Sequence, residues 1–230
     1  MKTIGLLGGM SWESSVVYYR LLNESVRDRL GGLHSARCVM YSVDFAEIEA
    51  LQAASDWARA GEVLAQASKG LLCAGAECIV LCTNTMHRVV GAIEESVTIP
   101  VLHVADATAE AVRKRGLSSV GLLGTRYTME GDFYKGRLED KHGIRVVVPE
   151  EREREVVHRV IYDELCLGRI HQESRRAYQD IVEQLTANGA EAVILGCTEI
   201  GLLLEPNSCE VPLFDTTTVH ARAAVDWALR

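Results

Sequence analysis

The sequence has no run of basic residues, no apolar stretch long enough to span a membrane and no even, loop-borne set of cysteines. Its 32 Asp and Glu outnumber its 24 Lys and Arg, whereas a nucleic-acid surface needs clustered cations that displace counterions. A membrane-spanning helix needs about 20 apolar residues. The seven cysteines are odd in number and lie largely in apolar runs, unlike the disulfide framework of a secreted domain. We therefore expect neither a nucleic acid nor a membrane as partner, and a cytoplasmic location with reduced thiols.

The motifs of nucleotide and metal binding are also missing. The opening glycine loop, Gly5-x-x-Gly8-Gly9, lacks the G-x-G-x-x-G order of a dinucleotide-binding loop, and neither half of the chain contains a G-x-x-x-x-G-K-[ST] phosphate loop. The histidines show no H-E-x-x-H spacing, and the three cysteines within residues 73–82 lie in an apolar segment rather than in the paired loops of a zinc site. We expect no nucleotide, metal or other cofactor.

What the sequence does contain is an internal repeat. With 230 residues, 48% of them apolar, the chain is long enough to bury a substantial core in one or two domains. Three segments recur in the same order, with offsets that drift slowly through 116, 114 and 112 residues. The pairs are Ile4–Gly9 with Val120–Thr125, Gly75–Leu81 with Gly189–Leu195, and Ile99–Leu102 with Val211–Phe214. The chain is therefore predicted to consist of two homologous halves.

Each half alternates short β-branched runs with long amphipathic stretches, which is typical of α/β folds. Consecutive apolar residues at Cys78–Leu81 and Ala192–Leu195 indicate parallel strands that are buried on both faces. The amphipathic stretches predict helices over Ser14–Leu30, Trp57–Ala74, Ala105–Arg115, Glu155–Gly168 and Gln172–Asn188.

These patterns predict an α/β protein of two similar doubly wound parallel-sheet domains, related by a pseudo-twofold axis, with the active site in the cleft between them. Because Leu213–Asp215 matches the strand Val101–His103, we expect the C-terminal strand and helix to return to the first domain. The first domain then comprises residues 1–100 and 206–230, and the second comprises residues 101–205.

Ligands of open parallel sheets bind beyond the carboxyl ends of the strands. Two interpretations of the glycine loops remain open. In the first interpretation, the backbone N–H groups of these loops and the hydroxyls of Ser11, Thr125 and Thr128 face a substrate carboxylate. In the second, the glycines only permit tight turns. The four candidate loops are residues 8–11, 83–87, 124–128 and 196–199.

The second pair of repeated segments, Gly75–Leu81 with Gly189–Leu195, aligns a hydroxyl with a thiol when the alignment is continued without a gap. Thr83 aligns with Cys197, Asn84 with Thr198, and Thr85 with Glu199. Cys197 follows a glycine at a predicted helix N-terminus, where the helix dipole lowers a thiol pKa from about 8.5 toward neutrality.

Two neighbours of Thr83 have more ordinary interpretations. Cys82 aligns with Gly196 and, on a strand, points away from Thr83, so we expect it to pack in the core. His87 either orients the Thr83 loop or makes a local hydrogen bond in the first turn of a helix.

Taken together, the loops resemble those of the aspartate/glutamate racemase superfamily, and of its aspartate racemase branch in particular. The resemblance covers nearly the whole chain, and its motifs are Gly8–Ser14, Thr83–His87, Leu122–Thr125 and Leu195–Glu199. It implies a mechanism without pyridoxal phosphate, in which two cysteines stand on opposite faces of the substrate Cα. One thiolate removes the α-proton and the other thiol returns a proton to the opposite face.

The chain departs from this pattern at one of the two catalytic positions. The family's second cysteine corresponds to Cys197, but its first corresponds to Thr83, whose hydroxyl is far too weakly acidic to act as a base at neutral pH. The resemblance thus implies that L-substrates react through Cys197, that D-substrates react poorly, and that the product arises by slow protonation from Thr83 or a water it holds. The positions carried over for substrate binding, to which we add Glu199, are Met10, Gln52, Asn84, Thr85, Thr125 and Thr198.

The resemblance implies L-aspartate, L-glutamate or a related amino acid as substrate, and we expect a homodimer. Family members that act on aspartate use cationic side chains for the distal carboxylate, and the candidates here are Arg88, Arg126 and Arg169. Two alternatives remain open. One is a single-cysteine decarboxylase of the arylmalonate type, and the other is a binding protein that kept the cleft and lost catalysis.

Overall fold

Eight parallel strands form two separate four-stranded sheets in the computed structural model, which describes residues 1–205 and 208–230. The chain divides into two units. The first unit comprises Met1–Val104 and His220–Arg230, and the second comprises Ala105–Val219.

The strands of the first sheet are β1 (Ile4–Gly8), β2 (Cys38–Ser42), β3 (Cys78–Leu81) and β4 (Val101–Leu102). The helices between residues 1 and 114 are α1 (Trp12–Leu30), α2 (Phe45–Ala53), α3 (Trp57–Cys73), α4 (Val90–Ser96) and α5 (Val104–Lys114), and α5 belongs to the second unit from Ala105 onward. A short 3₁₀ helix, Thr85–Val89, lies between β3 and α4.

The strands of the second sheet are β5 (Ser119–Leu123), β6 (Arg145–Val147), β7 (Val193–Leu195) and β8 (Leu213–Asp215). The later helices are α6 (Arg126–Glu130), α7 (Glu151–Asp163), α8 (Gln172–Ala187), α9 (Ile200–Leu203) and α10 (Thr216–Ala228). A π-helical turn, Arg137–Lys141, precedes β6, and a 3₁₀ helix, Leu165–Leu167, follows α7.

The two sheets have the same strand order, which confirms the predicted pair of similar α/β halves. The orders are β2-β1-β3-β4 and β6-β5-β7-β8, and every pairing is parallel. The two central strands of each sheet are buried along their whole length, as expected for parallel strands covered on both faces. Alternate residues of β1 pack on opposite sides of the sheet, with Ile4 and Leu6 in one apolar cluster and Leu7 in another.

The predicted return of the C-terminal strand to the first domain is wrong. β8 pairs with β7, with Val193 opposite Leu213, just as β4 pairs with β3, with Ile79 opposite Val101. Each sheet is therefore completed by its own fourth strand, and only the chain from His220 onward joins the first unit. The predicted boundary at residue 206 lies outside the described residues.

The five predicted helices are present, with bounds that differ from the prediction by up to five residues, and the largest difference is the end of α7 at Asp163 rather than Gly168. Helix α7 begins at Glu151 rather than at Glu155 because Glu150 and Glu153 form a reciprocal capping box at its N-terminus. In this arrangement the Glu150 N–H donates to the Glu153 carboxylate over 3.1 Å. Among the described residues, no helix is both long enough and apolar enough to cross a bilayer.

Candidate active site

Thr83 and Cys197 occupy equivalent positions in their own units. The Cys82 N–H donates to a carbonyl of β1 over 2.9 Å, and the Gly196 N–H donates to the equivalent carbonyl of β5 over 2.6 Å. Each bond extends the ladder by one residue past the end of β3 or β7, so Thr83 and Cys197 are the first residues beyond it. The alignment of the two halves that the sequence predicted is therefore confirmed at these loops.

The residues just before this pair have structural roles. A Cβ at Gly196 would lie 2.8 Å from the Leu123 carbonyl oxygen, so the sharp turn before Cys197 needs glycine. Cys82 is completely buried in the core of the first unit, and its Sγ lies 3.6 Å from the Val80 carbonyl oxygen. The predicted packing role of Cys82 is therefore confirmed.

The Cys197 thiol is partly buried and donates a hydrogen bond to the Glu199 carboxylate, with 2.9 Å between Sγ and Oε2. Burial raises the pKa of Cys197 well above its usual value, and the negative charge of Glu199 raises it further. The expected lowering of this pKa by a helix dipole is wrong, because the following helix, α9, has only four residues and opposes two larger effects. Cys197 is therefore a thiol in the resting protein.

A second thiol and a phenol lie close to Cys197 in the same unit. Cys166 and Cys197 both pack against one apolar cluster that contains Tyr178, and the Tyr178 hydroxyl donates to the Val157 carbonyl over 2.9 Å. Burial raises the pKa of Tyr178, so it stays protonated. Cys166 and Tyr178 carry no motif in the sequence that would have identified them as neighbours of Cys197.

The Thr83 loop is held by a histidine. Asn84 and Thr85 are buried, and Thr83 is partly buried. His87 contacts the Thr83 carbonyl oxygen through Nδ1 at 2.8 Å, and its Nε2 accepts the N–H of Val104 at 3.2 Å. The sequence left two interpretations of His87 open, and the structure supports both. The local hydrogen bond to the Thr83 carbonyl is the contact that holds the loop.

Two further predicted residues of the first unit lie close to this loop. Gln52 is buried and its amide nitrogen is 2.9 Å from the Met86 sulfur. Met10 is also buried and belongs to the same apolar cluster as Met86. Met86 thus links Met10 and Gln52 to the segment that follows Thr83.

The hydroxyls of the glycine loops cap helices. Ser11 accepts the N–H of Ser14 at the start of α1, and Thr125 accepts the N–H of Thr128 at the start of α6, both over 3.3 Å. Gly9 has a φ of +95°, and a Cβ there would overlap the backbone of Val43, the residue that follows β2. The tight-turn interpretation is therefore confirmed at Gly9. The hydroxyls that cap the two helices lie at the carboxyl ends of the strands.

The structure singles out none of the three arginines that were candidates for a distal carboxylate. The side chains of Arg88, Arg126 and Arg169 are all exposed, and the Arg88 guanidinium lies 4.3 Å from the centre of the Trp57 ring. Within the described ranges, no group of three or more His, Cys, Asp and Glu side chains is arranged to hold a metal ion.

The predicted site residues thus fall into two groups, one in each unit. The first unit holds Met10, Gln52, Thr83, Asn84 and Thr85, and the second holds Thr125, Cys197, Thr198 and Glu199.

Comparison with known proteins finds one family over most of the chain. A family model described as Asp/Glu/Hydantoin racemase matches residues 7–224. The crystal structure of a candidate Asp/Glu racemase from Yersinia pestis is 54% identical, with a TM-score of 0.95 and full coverage of both chains. An aspartate racemase homologue from Pyrococcus horikoshii is 35% identical, with a TM-score of 0.88 and full coverage of both chains.

A curated relative, the broad specificity amino-acid racemase RacX of Bacillus subtilis, is 23% identical over 151 residues. The match covers 66% of this chain and 64% of RacX.

Proposed function

The chain belongs to the Asp/Glu/Hydantoin racemase family, and we propose that it is a cofactor-independent amino-acid racemase. Its substrate is L-aspartate, L-glutamate or a related amino acid, and its working form is a homodimer. The observation that carries the proposal is the hydrogen bond from the Cys197 thiol to the Glu199 carboxylate. A thiol aimed at a base, in the loop after a buried parallel strand, is the arrangement of an activated acid–base group.

The reaction begins at this pair. When the substrate ammonium group brings a positive charge near the loop, the thiol proton passes to Glu199 and leaves a thiolate. The thiolate takes the α-proton of the L-amino acid, so the sulfur is again a thiol and the substrate is a carbanion. Glu199 is the acceptor for this step because the Cys197 thiol is already hydrogen-bonded to it.

Protonation on the opposite face completes the inversion. The Thr83 hydroxyl, or a water held by it, gives a proton to the carbanion and regains one from solvent, while Glu199 releases to solvent the proton that it took from Cys197. Because a hydroxyl is a poor base, removal of the α-proton from a D-amino acid on this face is slow. The proposal thus makes the enzyme strongly asymmetric toward the two enantiomers.

Polar groups at the carboxyl ends of the sheets hold the substrate. We assign the α-carboxylate and ammonium groups to Asn84, Thr85, Thr125 and Thr198. The buried amides and hydroxyls at Asn84, Thr85 and Thr125 support this assignment, since polar groups in a dry site orient a charged ligand. Met10 and Gln52 lie against the substrate on the side of the first unit.

Relaxed substrate choice is supported by two facts. The three candidate arginines are exposed, so no buried cation in this set demands a distal carboxylate. The relative RacX is described as having broad specificity. We therefore include other amino acids besides aspartate and glutamate among the substrates.

Incubation with L-aspartate or L-glutamate in heavy water tests the function. A racemase exchanges the α-hydrogen for deuterium and forms the D-enantiomer. A decarboxylase would leave both amino acids untouched and act only on malonates, and a binding protein would show a thermal shift without exchange. Dialysis against a chelator and treatment with a carbonyl-trapping reagent should leave the rate unchanged, whereas a loss restored by a metal or by pyridoxal phosphate would overturn the two-base mechanism.

A further inference from the structure

The protonation of the His87 imidazole can be assigned from its two hydrogen bonds. Val104 donates its backbone N–H to Nε2 over 3.2 Å, so Nε2 carries no hydrogen. Nδ1 therefore carries the hydrogen and donates it to the carbonyl oxygen of Thr83 over 2.8 Å. Only 1% of His87 is exposed, so water does not compete for either bond.

Two further buried histidines of the first unit surround His87. The ring centre of His103 is 4.4 Å away, and that of His220 is 5.9 Å away. His220 is held as a neutral ring, because its Nε2 donates to the Leu102 carbonyl over 2.6 Å and its Nδ1 accepts from the Tyr18 hydroxyl over 2.9 Å. Burial lowers the pKa of His87, so the neutral form with hydrogen on Nδ1 persists at physiological pH.

The bond to Thr83 has no counterpart among the described residues of the second half. With the offset of 114 residues that aligns Thr83 with Cys197, His87 aligns with Gly201. The Cys197 loop is instead held from within by the contact between its thiol and Glu199. The two loops thus have different supports as well as different acid–base groups.

We propose that His87 is a positioning residue that holds Thr83 in place for delivery of a proton to the substrate. The imidazole ties the carbonyl of Thr83 to the backbone at the start of α5, so the loop after β3 is fixed to the segment after β4. This inference rests on the proposed racemase function. Proton delivery depends on placement within about 1 Å, and a misplacement of that size costs up to about 100-fold in rate.

Two substitutions of the same residue separate positioning from packing. His87→Asn keeps a side-chain N–H at the place of Nδ1 and loses the acceptor for Val104. His87→Gln can reach toward Val104 but loses the short donor to Thr83. His220→Gln is the matched control, since it disturbs the same buried cluster without removing any bond to Thr83.

The readout is the ratio of inversion to α-hydrogen exchange for an L-substrate in heavy water. Exchange without inversion needs Cys197 and Glu199, whereas inversion also needs Thr83. We expect His87→Gln to lower the ratio at least tenfold, His87→Asn to restore most of it, and His220→Gln to leave it unchanged. Loss of stability alone would lower both rates by the same factor and would not change the ratio.

The outcomes distinguish this inference from the function on which it rests. If the unaltered protein neither exchanges nor inverts amino acids, the proposed function fails. If it does both and the ratio is the same in His87→Gln as in the unaltered protein, the positioning role is overturned. An equal fall of the ratio in His220→Gln and His87→Gln would also overturn it, because the effect would then belong to the packing of the cluster.

Discussion

The Cys197 thiol donates a hydrogen bond to the Glu199 carboxylate, two residues further along the chain, with Sγ 2.9 Å from Oε2. The turn after β7 brings the two side chains together without help from a distant part of the chain. The same carboxylate that receives the hydrogen also raises the pKa of the thiol. The proton therefore stays on the sulfur of Cys197 until a substrate changes the local charge.

Replacement of Cys197 by alanine should abolish catalysis. We expect at least a 100-fold loss of α-hydrogen exchange in Cys197→Ala, because a general base typically contributes about 10²–10⁴-fold. The thermal unfolding temperature should change little, since the side chain is only partly buried. Cys73→Ala, which removes an exposed thiol, is the control and should keep full activity. Exchange at a normal rate in Cys197→Ala would show that the base is elsewhere.

Removal of the charge at Glu199 should make the Cys197 thiol more acidic and the enzyme slower. In Glu199→Gln the carboxylate no longer raises the pKa of Cys197, so the midpoint of its alkylation by iodoacetamide should move to lower pH. Activity should fall at the same time because the acceptor of the thiol proton is lost. Glu173→Gln, an exposed change on α8, should alter neither quantity. A midpoint that stays in place or rises would contradict the assigned role of Glu199.

A thiol at position 83 should help one enantiomer more than the other. Thr83→Cys places a group that titrates near neutral pH on the second face, so turnover of D-substrates should rise by a larger factor than turnover of L-substrates. Thr83→Ser keeps a hydroxyl and should show no such gain. Initial rates with each enantiomer measure the effect. Equal gains for both enantiomers would indicate improved binding, and no gain for D-substrates in a folded variant with a reactive thiol would remove Thr83 from proton transfer.

The buried histidines should make the protein less stable in mild acid. Burial lowers the pKa of His220 from 6.5 to about 4, so the folded state resists protonation that the unfolded chain accepts. The contribution of His220 is complete above pH 6.5 and is lost as the pH falls toward 4, which amounts to about 3 kcal/mol. His87 acts in the same direction.

Urea unfolding at pH 7.5 and pH 4.5 checks this expectation. His220→Gln should lose about 2 kcal/mol less free energy of unfolding between these pH values than the unaltered protein does, because it has one fewer buried group to protonate. His34→Gln, which changes an exposed histidine, should retain the full pH dependence. An unchanged dependence in His220→Gln would contradict the role of His220.

Much of the fold follows from the periodicity of the sequence. Apolar runs such as Cys78–Leu81 can be satisfied only in a strand covered on both faces, and the echo at Ala192–Leu195 predicts the same strand in the second half. The echo also correctly equates Cys82 with Gly196. The C-terminal strand was misplaced because the similarity of Leu213–Asp215 to Val101–His103 says which strand it resembles and not which sheet it joins.

The sequence by itself determined the two α/β halves, their parallel strands and the loops in which chemistry-bearing residues occur, because these depend on local pattern and on the position of each loop along its strand. Only the tertiary structure decided the pKa of Cys197, since burial outweighs the dipole of a four-residue helix and burial is a property of the packed unit. The same holds for His87. Its tautomer depends on Val104, which is 17 residues away in sequence and reaches the ring only because β3 and β4 pair side by side.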